Sequence, residues 1–229
     1  MSTPPINAVL FDFDGTLAPN LDLPGMRRQV IELTLAHEVP ADLFTERYIV
    51  EIIDVAGAWL ADKDAETAAH YTTSAHDLIT EIEMTAAAAT RPFPEITAYL
   101  DSLRQANILT AVVTRNCRAA VLETFPDLLD RVSALVARDD VTHLKPDTRH
   151  LSTALRQLGC APQNAAMVGD GRLDIHAGKA LGMYCVGVLT GSSDHTALTE
   201  AGADLILPRC ADFNPTHQIG VRDDGAREG

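Results

Sequence analysis

Val9-Leu10-Phe11-Asp12-Phe13-Asp14-Gly15-Thr16-Leu17 is the stretch from which the rest of the chain is read. The apolar run from Ala8 to Phe11 has the length and composition of a short buried strand. It ends in two carboxylates two residues apart, then a glycine and a hydroxyl. Where a strand passes into a loop, that spacing can aim both acids into one pocket. Two like charges held so close repel, and a cation or a proton is needed to keep them there. Gly15 lets the backbone turn with positive φ, and Thr16 adds a donor beside the acids. Asp-Gly is also a hairpin signal. A hairpin needs a return strand, and Pro19 and Pro24 stand where it would run. Paired acids at a strand terminus are instead a candidate site for metal-assisted chemistry.

After this stretch the periodicity is helical. Helices are predicted for Met26 to Glu38, for Leu43 to Leu60, and for Ala65 to Ala89 with a possible break at Thr72-Thr73-Ser74. Helix without intervening strand makes residues 20–90 a helical unit of their own. Arg91-Pro92-Phe93-Pro94 punctuates the chain, and beyond it strands and helices alternate. Strands are expected at Ile108–Val113, Ala134–Ala137, Ala165–Val168, Tyr184–Leu189 and Asp204–Leu207. Helices are expected at Pro94–Gln105, 118–124, Thr148–Leu158, 173–181 and 194–201. The expected fold class is therefore α/β, a doubly wound parallel sheet built from 1–19 and 91–210 with an inserted helical domain. Residues 211–229 read as a flexible tail.

Composition narrows the function classes. Of 229 residues 46% are hydrophobic, which is enough to bury a sizeable core. The formal net charge of −14 argues against nucleic acid or an anionic membrane surface as partners. An anionic substrate would then need a local cation. The opening Met1-Ser2-Thr3-Pro4-Pro5 lacks the charged start and apolar run of a secretory leader. Cys117, Cys160, Cys185 and Cys210 form no Cys-x-x-Cys, and reduced thiols in a cytoplasmic protein are the expectation.

In open α/β sheets ligands gather at the carboxyl ends of strands. Asp12 and Asp14, Thr114, Lys145, and Asp170 with Asp174 all fall just after predicted strands or in connecting loops. Singly each has an ordinary explanation: Thr114 and Asp170 suit helix caps, Asp174 suits a first helical turn, and a loop lysine is usually solvated. Their order is more specific: Asp-x-Asp-Gly-Thr, then a strand-ending Thr, then Lys145-Pro146, then Gly169-Asp170-x-x-x-Asp174. This set resembles the four motifs of the haloacid dehalogenase-like hydrolases over residues 6–207, and looks most like their phosphoglycolate phosphatase branch. The resemblance implies a Mg²⁺-dependent phosphomonoester hydrolase acting on a small phosphorylated metabolite. Asp12 would be the nucleophile, and Asp14 the acid and then the base. Asp12, Asp170 and the Asp14 carbonyl would hold Mg²⁺, with Asp174 one layer behind. Thr114 and Lys145 would receive the phosphoryl group, and the helical unit would be a substrate-choosing cap.

Two departures from the branch stand out. Thr114-Arg115-Asn116 replaces its Thr-Asn-Lys, which makes Arg115 and Asn116 candidate substrate contacts, and Arg172 a further cationic one. Gly171 stands where many members carry a hydroxyl. Among rivals, a dehalogenase has no use for Asp14 as an acid. A phosphonate hydrolase wants an apolar-pocket lysine in the cap, where Lys63 is flanked by Asp62 and Asp64. A receiver domain has no reason for a helical insertion. A phosphomutase of the same superfamily and a catalytically silent phospho-ligand-binding protein remain as alternatives.

Overall fold

A computed structural model describes residues 5–45 and 47–216. Within it the chain divides into two compact units, one formed by residues of 1–20 and 90–229 and the other by 21–89. The first unit carries six strands: β1 (Ala8–Phe11), β2 (Leu109–Val113), β3 (Ala134–Val136), β4 (Ala165–Gly169), β5 (Tyr184–Val188) and β6 (Leu205–Leu207). They form one sheet in the order β3-β2-β1-β4-β5-β6, every neighbouring pair parallel. Both faces are covered, which is why β1 reads as a continuous apolar run and not an alternation. Val9 and Phe11 pack on one face with Val112, Val168 and Val186 against Ile96, Leu100 and Val121. Ala8 and Leu10 pack on the other with Ala111, Met167 and Cys185 against Leu151, Ala154, Ile175 and Leu198.

The helices of these layers are α4 (Ile96–Gln105), α5 (Arg118–Thr124), α6 (Thr148–Leu158), α7 (Arg172–Ala180) and α8 (His195–Ala201). Register fixes what meets at the sheet's carboxyl edge. Phe11 lies opposite both Val112 and Val168, so Asp12 emerges between the ends of β2 and β4. The strand order reverses at this same place, between β1 and β4, and a crevice opens there in such sheets.

The second unit holds α1 (Leu23–Ala36), α2 (Ile49–Ala61) and α3 (Ala65–Ala89). Met26, Val30, Phe44, Ile52, Ile53, Ala56, Tyr71 and Ile79 form its core. Two helical expectations need correction. Leu43–Leu60 is not one helix: a short 3-10 turn at Ala41–Leu43 precedes the start of α2 at Ile49. The run Thr72-Thr73-Ser74 does not interrupt α3, where Tyr71 and Ala75 on either side are buried in the unit's core. The expected tail also begins too early. Phe213 is buried, stacks on Tyr184 and accepts a hydrogen bond from Tyr99 Oη at 2.8 Å. Residues 217–229, like Met1–Pro4, lie outside the described residues. Among the described residues, none of the four cysteines is in a disulfide. Among the described residues, no helix is long and apolar enough to cross a membrane.

Candidate active site

Four strand ends bring the predicted residues together. Asp12 follows β1, and its backbone N–H is tied to Val168 O of β4 at 2.9 Å. Lys145, from the loop before α6, is 1% exposed and spans two acids. Its Nζ donates to Asp12 Oδ1 at 2.8 Å and to Asp174 Oδ1 at 2.6 Å. Burial alone would pull the ammonium down, but the two carboxylates overcome that and hold it above the ordinary lysine range. Asp174, on the first turn of α7, also accepts from Gly171 N–H at 3.1 Å.

Asp170 follows β4 and is held by Ser192, whose backbone N–H and hydroxyl donate to Oδ2 at 2.5 and 2.8 Å. Burial and the charge of Asp12 raise the Asp170 carboxyl despite those bonds. The same two causes raise Asp174, against the pull of Lys145. One carboxylate oxygen from each of Asp12, Asp170 and Asp174 lies within 4.8 Å of the others. Three acids against one lysine leave an excess of negative charge in a confined space. An all-oxygen donor set of this kind suits a hard divalent cation, which would reverse both shifts.

Asp14 lies in the turn that follows β1. Its carboxylate accepts from Asn116 Nδ2 at 3.3 and 3.1 Å. Gly15 makes the turn after Asp14 possible: its φ is +78°, and an added Cβ would lie 2.7 Å from the Asp170 carboxylate. The turn closes through Gly15 N–H to Ala18 O at 2.7 Å. Thr114 follows β2; its N–H bonds Val136 O at 3.1 Å, and its Oγ1 accepts from Asn116 N–H at 3.0 Å.

Two expected substrate contacts have partners within the protein. Arg115 Nη1 donates to the Lys145 carbonyl. Arg172 pairs with Glu200 at 2.9 Å on an exposed surface. Three groups at the site escaped the sequence reading. Ser192 and Gly191 lie in the loop after β5, where a Cβ on residue 191 would stand 2.0 Å from Asp170 Oδ2. His150 lies on α6, fully buried behind Lys145. The polar run Thr190-Gly191-Ser192-Ser193 directly after a strand next to β4 was a usable signal for the first two. His150, alone on an apolar helix face, carried none.

Residues 9–188 match the family described as haloacid dehalogenase-like hydrolase. The chain belongs to that family. It is 30% identical to pyrophosphatase PpaX of Bacillus velezensis, over 95% of this chain and 98% of that protein. It is 31% identical to phosphoglycolate phosphatase of Neisseria meningitidis, over 86% of each. The crystal structure of β-phosphoglucomutase from Clostridium difficile superposes with a TM-score of 0.65 at 16% identity, covering 90% or more of both chains (91% and 93%). That likeness is one of fold. As a haloacid dehalogenase-like hydrolase, the protein places its family motifs at the carboxyl edge of the sheet.

Proposed function

We propose that this hydrolase is a Mg²⁺-dependent phosphomonoesterase that works through a phosphoryl group carried on Asp12. The observation behind the proposal is the charge gathered at Asp12, where the Lys145 ammonium and the carboxylates of Asp170 and Asp174 converge on one strand end. Asp12 Oδ1 accepts from Lys145 Nζ at 2.8 Å, and the Asp14 carboxylate accepts from Asn116 Nδ2 at 3.1 Å. A carboxylate whose charge is matched by an ammonium suits attack on phosphorus. Asp14, two residues further on, is assigned the giving and taking of a proton.

In the first half-reaction an Asp12 oxygen forms a bond to phosphorus, the ester P–O bond breaks, and protonated Asp14 gives its proton to the leaving oxygen. In the second, Asp14 takes a proton from water, the water oxygen bonds to phosphorus, and the bond to Asp12 breaks. Inorganic phosphate leaves and both carboxyls return to their starting states. Lys145 stays beside Asp12 throughout and offsets charge on the phosphoryl oxygens, with Thr114 supplying a hydroxyl donor. Asn116 can serve Asp14 in both states: the Nδ2 now facing the carboxylate is replaced, on rotation of the amide, by an Oδ1 that has no partner among the described residues. Mg²⁺, held by Asp12, Asp170 and the Asp14 carbonyl, would neutralise the dianion's charge as it enters. We assign residues 21–89 the cap's role of substrate choice. The relatives named as phosphoglycolate phosphatase and pyrophosphatase make small phosphorylated anions the first substrates to try.

The test is phosphate release from a panel of esters, phosphoglycolate and pyrophosphate included, with Mg²⁺ or with chelator. Release that requires Mg²⁺ and disappears in Asp12→Asn is expected. Release that persists in Asp12→Asn would contradict the proposal, and wild-type silence on every ester would favour a mutase or a binding protein.

A further inference from the structure

The Lys145 ammonium is only as well placed as the backbone that carries it, and both polar backbone groups of that residue are taken by side chains. Its N–H donates to His150 Nδ1 at 3.2 Å, and its carbonyl accepts from Arg115 Nη1. The two side chains come from different elements. His150 is on α6, and Arg115 is in the loop that follows β2.

His150 is 0% exposed, and its other ring nitrogen faces Val136 O at 3.2 Å. Burial, and then the charge of Lys145, push the imidazole down to about 3, so the ring is neutral. With Nδ1 accepting, the single proton lies on Nε2 and is donated to Val136 O. That carbonyl also accepts the Thr114 N–H at 3.1 Å. One imidazole therefore joins the lysine loop to the end of β3, and through a shared carbonyl to Thr114. An apolar residue of similar size would fill the same space but leave the Lys145 N–H buried without its acceptor.

We propose that His150 and Arg115 are positioning residues, a two-sided clamp on the Lys145 backbone that keeps Nζ between Asp12 and Asp174. The proposal rests on the reading of Lys145 as the charge-offsetting group in phosphoryl transfer. It also gives Arg115 a role at the lysine loop.

Two measurements on the full chain test it. The first is hydrogen exchange at the Lys145 amide in wild type, His150→Leu and His150→Asn. Exchange should quicken in His150→Leu and return toward wild type in His150→Asn, whose Oδ1 restores an acceptor. Unchanged exchange in His150→Leu would overturn the clamp. Being independent of turnover, this result stands even if no ester is hydrolysed, a failure that would count against the proposed function alone.

The second is a double-mutant cycle on kcat. His150→Leu should lower kcat about ten- to a hundredfold, with KM nearly unchanged. In a Lys145→Met background it should cost less than about twofold, because it acts through the residue already removed. Equal losses in both backgrounds would show a merely structural role. Arg115 is partly exposed, so Arg115→Ala is a variant whose folding is not at risk. It should lower kcat by a similar factor on every ester. A loss confined to particular esters would instead make Arg115 a substrate contact.

Discussion

The environment of individual groups explains both departures from the phosphoglycolate phosphatase pattern. Gly171 lacks the hydroxyl many relatives carry beside the fourth-motif aspartate, and here Ser192 brings one to Asp170 from the next loop, at 2.8 Å. A second-layer hydrogen bond of this kind typically supports metal affinity by ten- to a hundredfold. Ser192→Ala should therefore weaken Mg²⁺ binding by about tenfold, read from the Mg²⁺ concentration that half-saturates the thermal shift. An unchanged midpoint would remove Ser192 from the account. Asn116, standing where the branch has a lysine, meets the Asp14 carboxylate. Asn116→Leu should slow alkyl phosphates, whose leaving oxygen needs a proton, at least about tenfold more than aryl phosphates, whose leaving oxygen does not. Equal slowing on both would mean that Asn116 does not act through Asp14. The acids themselves were legible because type and spacing repeat a motif. Their supporting groups were not, since Ser192 and His150 reach them across the fold from positions with no local pattern.

Among the elements, the buried strands were the easiest to read. Runs such as Val9-Leu10-Phe11 and Thr110-Ala111-Val112-Val113 have few alternatives once both sheet faces are covered. Loops and ends were harder. Leu43, Phe44 and Tyr48 extend the helical pattern in sequence, yet Phe44 packs into the helical unit's core and α2 begins only at Ile49. Phe213 was placed in a tail because polar neighbours and Pro215 surround it. Its burial depends on Tyr99 and Tyr184, which are distant in sequence. Phe213→Ala should cost about 3–5 kcal/mol of stability by urea denaturation, the range for a buried aromatic. A change below about 1 kcal/mol would show that the 3-10 turn at Cys210–Asp212 is an appendage and not part of the core.

For the whole molecule, the sheet's carboxyl edge gathers carboxylates that oppose one another until a cation arrives. Asp170 and Asp174 are both raised above the ordinary carboxylate range in the metal-free protein. A group raised on folding contributes stability that is complete below its unfolded value and is lost as pH rises through its folded one. The metal-free protein should therefore lose this contribution as pH climbs above the ordinary carboxylate range toward neutrality. Mg²⁺ competes with those same protons, so the gain in Tm at a fixed Mg²⁺ concentration should be larger at pH 8 than at pH 5.5. A gain independent of pH would mean that Asp170 does not hold the ion.

The division of labour between Asp12 and Asp14 is the central claim, and trapping the covalent state tests it most directly. Asp14→Asn should still accept a phosphoryl group from an aryl phosphate, which needs no proton on its leaving oxygen, but should be slow to release it. Acid-quenched Asp14→Asn is then predicted to carry the mass of one phosphoryl group on the peptide containing Asp12, and Asp12→Asn to carry none. A phosphoryl group on another residue, or turnover by Asp12→Asn, would contradict the account.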